Sequence, residues 1–185
     1  KDDSKVMIHG LQGRVIREAW KAEPASWGRV EEAAAGLLGA VSVTAIPVSD
    51  SGLRRREALD LVEQLRAVAG QNYSESLFFH LRTADALAHA LRYATELGRP
   101  QAALSLSDAV HLLAKTLGPD HPRTLAARNN LANAYRSAGK LEQAIDLHKR
   151  TLADRERVLK SNHPDILASR NDLASTYESA GRLDQ

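Results

Sequence analysis

One stretch of this sequence occurs twice, 42 residues apart, and this internal repeat constrains the fold more than any other feature. Residues 121–143 align with residues 163–185, and 14 of the 23 aligned positions are identical. A unit of this length holds one supersecondary element, which buries its apolar face only by packing against its neighbours. We therefore expect an array of similar units instead of one central core.

Each unit has the pattern of two helices. The first begins at Pro122, since proline lacks only an N–H that has no partner in a first helical turn. It ends at Gly139, the usual residue type for a left-handed helix end. The second helix is predicted from about 141 to 159. The apolar side chains of the first helix recur mostly every three to four residues, at Leu125, Leu131, Ala132, Tyr135 and Ala138.

A weaker copy precedes these two. Leu97-Gly98-Arg99 stands 41 residues before Ala138-Gly139-Lys140, whereas Leu117-Gly118-Pro119-Asp120 stands 42 residues before Leu159-Lys160-Ser161-Asn162. One residue has therefore been gained or lost between the two copies.

The repeated residues resemble the tetratricopeptide repeat in its 42-residue, kinesin-light-chain-like form. That family has Leu, a small residue and Tyr on the first helix and Ala on the second, which here are Leu131, Ala132, Tyr135 and Ala144, then Leu173, Ala174 and Tyr177. The resemblance covers about residues 85–185. It implies an all-α, tetratricopeptide-type helical-hairpin superhelix with an N-terminal helical cap. His148 departs from the family pattern, which has a large aromatic residue there, and the helix-ending proline is absent.

The expected organisation has two parts. Residues 1–82 form a helical cap or bridge, with helices at about 10–22, 27–41 and 53–69 and the start of another near 74. Residues 83–185 form the repeats, with 83–120 degenerate, 121–162 full and 163–185 truncated.

The first residues carry a second resemblance, to the closing helix of the winged-helix module in bacterial STAND (NB-ARC-type) signalling NTPases. His9, Leu11, Val15 and Arg17 match that pattern, while Gly10, Gln12 and Gly13 depart from it. The resemblance implies a winged-helix remnant at 1–20. It also implies an alternative function, as the ligand-sensing arm of a multidomain signalling NTPase or transcriptional regulator whose nucleotide domain lies upstream of Lys1.

Composition narrows the function classes. The 25 Lys and Arg residues nearly balance the 23 Asp and Glu residues, so nothing suggests the clustered basic face that nucleic acid requires. The absence of cysteine excludes disulfides, thiol nucleophiles and cysteine zinc sites, and fits a reducing cytoplasm. No run of apolar residues is long enough for a membrane span. A start at Lys1 without a signal-peptide pattern suggests a piece of a longer protein.

Catalytic and metal-binding patterns are not found. Gly10-x-x-Gly13 lacks the Lys and hydroxyl residue of a phosphate-binding loop, and no His-Glu-x-x-His motif occurs. His121 and His163 each precede a proline at a helix start and are interpreted as capping or turn residues. We therefore expect neither an enzyme, nor a metal site, nor a cofactor.

The predicted site is the concave surface of the first helices, where family members hold extended peptides. An Asn amide offers both donors and an acceptor to a peptide backbone, and Arg can hold a carboxylate through two hydrogen bonds. The hypothesis places Asn129, Asn133 and Arg136 in open solvent. The alternative is a solvated face with amide hydrogen bonds between repeats. The residues assigned to this surface are Asn129, Asn130, Asn133 and Arg136, then Asn171, Asp172, Ser175 and Glu178.

The expected partner is thus a protein or peptide. A second contact is predicted at the C-terminal end, because the last first-helix lacks a packing partner in this chain. Its apolar side chains Leu173, Ala174 and Tyr177 should be partly exposed, so that the chain self-associates or its end frays.

Overall fold

A computed structural model describes residues 51–69 and 81–181, and this part of the chain is all-α. We number its helices in chain order. They are α1 Ser51–Ala69, α2 Leu81–Glu96, α3 Pro100–Leu104, α4 Ser107–Leu117, α5 Pro122–Ser137, α6 Leu141–Val158 and α7 Pro164–Ser179.

The helices pair as hairpins in the order that the repeat predicts. Helix α2 forms the first hairpin with α3 and α4, α5 forms the second with α6, and α7 occupies the first-helix position of a third. Helix α2 packs against α1 and α5, and α6 packs against α5 and α7. The helix predicted at 53–69 corresponds to α1, while those predicted at 10–22 and 27–41 lie outside the described residues.

Alanine and leucine make the core continuous from one hairpin to the next. A single cluster of buried side chains runs from α1 through α2, α3 and α4 to α5. The small alanines allow the helices to approach closely, and the leucines fill the space that remains. Fully buried members of this cluster are Leu61, Leu65, Leu87, Leu91, Leu106 and Leu113.

Helix starts and ends follow the sequence closely. His121 and His163 have extended backbone, and the Nδ1 atom of each accepts from the backbone N–H two residues on, at 3.2 and 3.1 Å. The prediction that both residues cap helices is therefore confirmed. Gly98, Gly139 and Gly181 follow α2, α5 and α7 with φ of +68°, +74° and +68°. Only glycine adopts these left-handed values without steric strain.

The second helix of the first hairpin is interrupted. Helix α3 ends at Leu104 and α4 begins at Ser107, while the backbone N–H of Leu106 donates to Ala103 only three residues back. The interruption falls in the same segment as the one-residue difference between the copies. A 3₁₀-type turn, whose hydrogen bonds span three residues, has fewer residues than an α-helical turn. Such a turn accommodates the second helix of this copy, which is one residue shorter.

Candidate functional site

Helices α2, α5 and α7 present one continuous surface, which we call the first-helix face. The seam between α2 and α5 is held by Arg123, whose Nε and Nη2 donate to the two carboxylate oxygens of Asp85 at 2.6 and 3.1 Å. The Asn130 amide adds a hydrogen bond of 2.8 Å to the carbonyl of Ala88. Hydrogen bonds with a charged partner are the stronger kind, so this seam is well fixed.

The seam between α5 and α7 depends on one carboxylate. Asp172 accepts from the Asn129 amide at 2.6 Å and from the Asn133 amide at 3.4 Å. Arg136 donates to the Asn133 Oδ1 atom at 3.5 Å. The bonds of Asn133 are at the upper limit of hydrogen-bond length, so this side chain is weakly held.

The expectation that Asn129 points into open solvent is wrong. Its side chain is only 9% exposed and is used by Asp172 of the following repeat. Asn129 and Asn130 instead form amide hydrogen bonds between repeats, as the alternative interpretation predicted. The residue pattern of α5 alone places Asn129 on a polar face. Only the position of α7 in the structure shows that this face is covered. Asn133 and Arg136 are half-buried.

The remaining predicted residues divide between two faces of α7. Ser175 lies three residues after Asp172 and shares its side of the helix, on the first-helix face. Asn171 and Glu178 are exposed and share a different side with Leu167 and Ala174. The predicted set is therefore not one surface.

Sequence reasoning missed two residues of α2 that belong to the first-helix face. His89 and Arg92 stand 41 residues before Asn130 and Asn133. This is the spacing that separates Gly98 from Gly139, and applying it to α2 would have identified both residues. Arg92 donates to the Tyr93 hydroxyl at 2.9 Å and lies over its ring, while its ion pair with Glu96 is long at 3.7 Å.

The imidazole of His89 lies edge-on to Tyr93, with ring centres 6.2 Å apart. Desolvation first, and the charge of Arg92 second, lower the pKa of His89 below its ordinary value. The residue is consequently biased toward its neutral form, in which one ring nitrogen donates and the other accepts.

Beneath the α5–α7 seam lies a group of buried polar side chains from α6. His148 is fully buried, and neither ring nitrogen has a hydrogen-bond partner among the described residues. Burial lowers its pKa to about 4. Arg155 donates through Nη1 to the Asp165 carbonyl at 3.0 Å and to the Ser169 hydroxyl at 2.6 Å. These bonds attach the end of α6 to the start of α7.

A cavity of about 620 Å³ opens on the opposite side of α5, between α4 and α6. Val110, Leu131 and Leu147 contribute apolar lining. Its charged residues are already paired with one another, Arg128 with Asp154 and Arg150 with Asp146. Because these charges neutralise one another within the cavity wall, the cavity is less suited to binding a polar ligand than the first-helix face.

Other chemistries find little support in residues 51–69 and 81–181. No group of three or more His, Asp or Glu side chains there is arranged to hold a metal ion. Ser107, Asp108 and His111 do not form a catalytic arrangement, because the His111 Nδ1 atom lies 2.9 Å from the Ser107 carbonyl oxygen and not at its hydroxyl. None of the helices in these ranges has the length and apolar character to cross a membrane.

Comparison with known proteins identifies the hairpin at the centre of the structure. The family model described as "Tetratricopeptide repeat" matches residues 124–165, a segment of 42 residues, the length of the predicted period. Residues 124–165 are thus similar to a tetratricopeptide repeat. The matched segment comprises most of α5, all of α6 and the first residues of α7. The match agrees with the resemblance carried by Leu131, Ala132, Tyr135 and Ala144, and with a helical-repeat scaffold.

Two solved structures are also similar. Both are crystal structures of the "nearly identical TPR-like repeats" of a kinesin light chain from Podosopora anserina, one of them a variant with a single substitution. Each is 23% identical to this chain, with 95% of this chain and 86% of the other covered and TM-scores of 0.48 and 0.49. No curated protein sequence matches the chain.

The second resemblance, to the winged-helix arm of signalling NTPases, is not supported by these comparisons. The residues that carry it, 6–18, lie outside the part of the chain that the structure describes.

Proposed function

We propose that this chain is a protein-interaction module that binds an extended peptide segment of its partner on the first-helix face. The observation that carries the proposal is Asn133. It is half-buried, belongs to the α5–α7 seam, and has only hydrogen bonds of 3.4 and 3.5 Å. An amide so weakly held can exchange these partners for a peptide backbone at little cost.

The neighbouring side chains supply complementary chemistry. Asn130 uses its Nδ2 atom on Ala88, and its Oδ1 has no hydrogen bond among the described residues, so it can accept from a peptide N–H. Arg92 of α2 and Arg136 of α5 carry guanidinium groups with donors to spare for a carboxylate. Ser175 extends the surface onto α7. We call Arg92, Asn130, Asn133, Arg136 and Ser175 the peptide-contact set.

The test is selection of peptides from a random phage library on the immobilised chain. Selected peptides are synthesised with a fluorophore, and their affinity is measured by anisotropy. The test variant combines Arg92→Ala and Asn133→Ala. The matched control combines Gln101→Ala and Lys160→Ala, two exposed polar side chains outside the first-helix face.

We expect selected peptides to contain an acidic residue, and the dissociation constant to rise at least about tenfold in the test variant, since two directed polar contacts are lost. The control should bind like the parent. Failure to select any peptide, or equal affinity in parent and test variant, would contradict the proposal.

A further inference from the structure

The contact between α6 and α7 is polar at buried positions. His148, Thr151 and Arg155 recur at spacings of three and four along one side of α6, and all three are buried. Arg155 donates to the Ser169 hydroxyl of α7, and Asp172 of α7 acts electrostatically on His148, so this side of α6 faces α7. We call the two sets of facing residues the polar interface. It consists of His148, Thr151 and Arg155 on α6, and of Ser169, Asp172 and Thr176 on α7.

The equivalent interface one repeat earlier is apolar. The positions 42 residues before are buried in the same pattern, with five of the six fully or almost fully buried and the sixth half-buried. Five of them are Leu or Ala, and all five belong to the continuous core cluster, which includes no buried side chain of α6 or α7. The six are Leu106, Ala109 and Leu113 on α4, and Ala127, Asn130 and Ala134 on α5.

Helix α7 is therefore attached less firmly than α5. Ile166 is the only buried apolar side chain of α7. Helix α5 packs extensively on α2, whereas α7 makes most of its contacts with α6 and few with α5. Polar groups that separate can exchange each other for water at a small net cost, but separated apolar groups lose their contacts outright. Opening the α6–α7 contact is thus less costly than opening the α4–α5 contact.

The imidazole of His148 lies within this interface and is sensitive to protons. The charged groups that act on it are Arg136 of α5, Arg155 of its own helix and Asp172 of α7. A proton on His148 makes a third cation opposite this single carboxylate. The buried side chain has no water to stabilise that charge, so the protonated form favours a state in which α7 has moved away.

We propose that the α6–α7 interface is a hinge, which opens when His148 takes up a proton. Helix α7 then pivots away from α5 and α6, while α1 to α5 stay packed in their continuous apolar core. Asn133 and Ser175 of the peptide-contact set lie on α5 and α7, so the hinge sets their spacing. This last consequence rests on the proposed function, whereas the hinge itself does not.

Linkage gives the size of the response. Burial lowers the pKa of His148 to about 4 in the closed interface, whereas an exposed histidine titrates near pH 6.5. The closed form is fully favoured above about pH 6.5 and loses its advantage as the pH falls toward 4. The ratio of open to closed chains should therefore rise about 30-fold between about pH 7.5 and pH 5.

The test is a pair of distance measurements by double electron–electron resonance. The chain has no cysteine, so pairs of cysteines for nitroxide labels can be introduced at exposed positions. The hinge pair is Ser137→Cys with Ser179→Cys, on α5 and α7. The reference pair is Glu96→Cys with Ser137→Cys, at the equivalent positions of α2 and α5. We expect the hinge pair to gain a population of longer distances at pH 5, and the reference pair to stay unchanged.

Two variants of the hinge pair isolate the cause. His148→Leu removes the proton site and should keep the same distances at both pH values. The apolar variant adds Thr151→Ala, Arg155→Leu and Ser169→Ala, which are the residues of the α4–α5 interface, and should keep α7 closed. The matched control is Thr83→Ala with Thr124→Ala, which removes two fully buried hydroxyls outside the polar interface and should respond to acid like the parent.

Circular dichroism of each variant verifies that the helices are retained, and His148→Leu alone decides if the apolar variant does not fold. All variants share one chain end, so fraying of α7 contributes equally to each. Three results would overturn the proposal. They are a hinge pair with identical distances at both pH values, a His148→Leu variant that opens in acid like the parent, and a reference pair that lengthens as much as the hinge pair. No peptide enters this experiment, so the hinge and the proposed peptide site can fail separately.

Discussion

His148 is the clearest case of a single residue whose behaviour is decided by its surroundings. It stands where family members carry a large aromatic residue, and it is fully buried without a hydrogen-bond partner among the described residues. The groups that act on it come from two neighbouring helices and from its own helix. Asp172 of α7 raises its pKa, while Arg136 of α5 and Arg155 of its own helix lower it. Burial outweighs these charges, so the imidazole is neutral in the folded chain.

Acid should therefore destabilise the protein through His148. The unfolded chain takes up this proton near pH 6.5, whereas the folded chain does so only near pH 4. Stability that is fully present above pH 6.5 is lost progressively as the pH falls to about 4, and the shift corresponds to roughly 3 kcal/mol. Urea unfolding of the parent at several pH values between about 4 and 7.5 measures this slope.

The matched change is His148→Leu, which keeps an apolar volume and removes both unpaired nitrogens. We expect the free energy of unfolding to rise by about 1 kcal/mol at neutral pH, because a buried polar group without a partner is destabilising. The dependence on pH between 6.5 and 4 should become shallower. A variant whose pH profile parallels the parent would show that another group titrates.

The residues that begin and end each helix are specified by the local sequence, whereas the side of the helix that becomes buried is not. His-Pro at residues 121–122 and 163–164 starts α5 and α7, and glycine with positive φ follows both helices. These signals act over a few residues, so they are readable from sequence. The interruption between α3 and α4 is not predicted from the sequence, although it falls in the segment where the repeat spacing differs by one residue.

Gly139 offers a test of the helix-end argument. A Cβ built at Gly139 meets nothing within 4 Å, so a substitution there is opposed only by the left-handed backbone at φ +74°. Gly139→Ala should lower the free energy of unfolding by about 1 kcal/mol, and Gly139→Asn by less, since Asn tolerates this conformation better. The matched control is Gly52→Ala, where a Cβ also meets nothing and φ is not positive. Thermal unfolding distinguishes them, and equal effects at 139 and 52 would count against the backbone explanation.

For the whole molecule, the polar seams connect repeats that would otherwise be held by apolar packing alone. Asp172 receives two amides of α5, and Arg155 binds both the Asp165 carbonyl and Ser169 of α7. In a linear repeat array each unit is stabilised chiefly by its neighbours, so a seam controls how the end unit opens.

A double-mutant cycle over Asn129→Ala and Asp172→Ala should give a coupling energy of about 1–2 kcal/mol, as expected for a short amide–carboxylate bond at a mostly buried position. Amide hydrogen exchange should become faster across residues 164–179 in the Asp172→Ala variant and change little in α2. Uniformly faster exchange throughout the chain would indicate that the seam supports global stability instead.

How much of this could be read from the sequence differs between the fold and the site. The repeat period, the helical hairpins, the capping histidines and the helix-ending glycines all follow from residues near one another in the chain. Their causes are local, namely backbone geometry and hydrogen bonds across one turn. The residues assigned to partner binding share one pattern along the first helices, but the structure places them on different faces.

An array of helical hairpins is predictable from the sequence alone, because the spacing of apolar residues and the turn residues recur with the repeat. Which polar residues are available to a partner depends on how the helices pack. Asn129 and Asn171 are identical and occupy equivalent positions, yet one is buried against Asp172 and the other is exposed on α7. The physical reason is that exposure depends on the neighbouring helix that packs against a position, which a repeat unit does not itself encode.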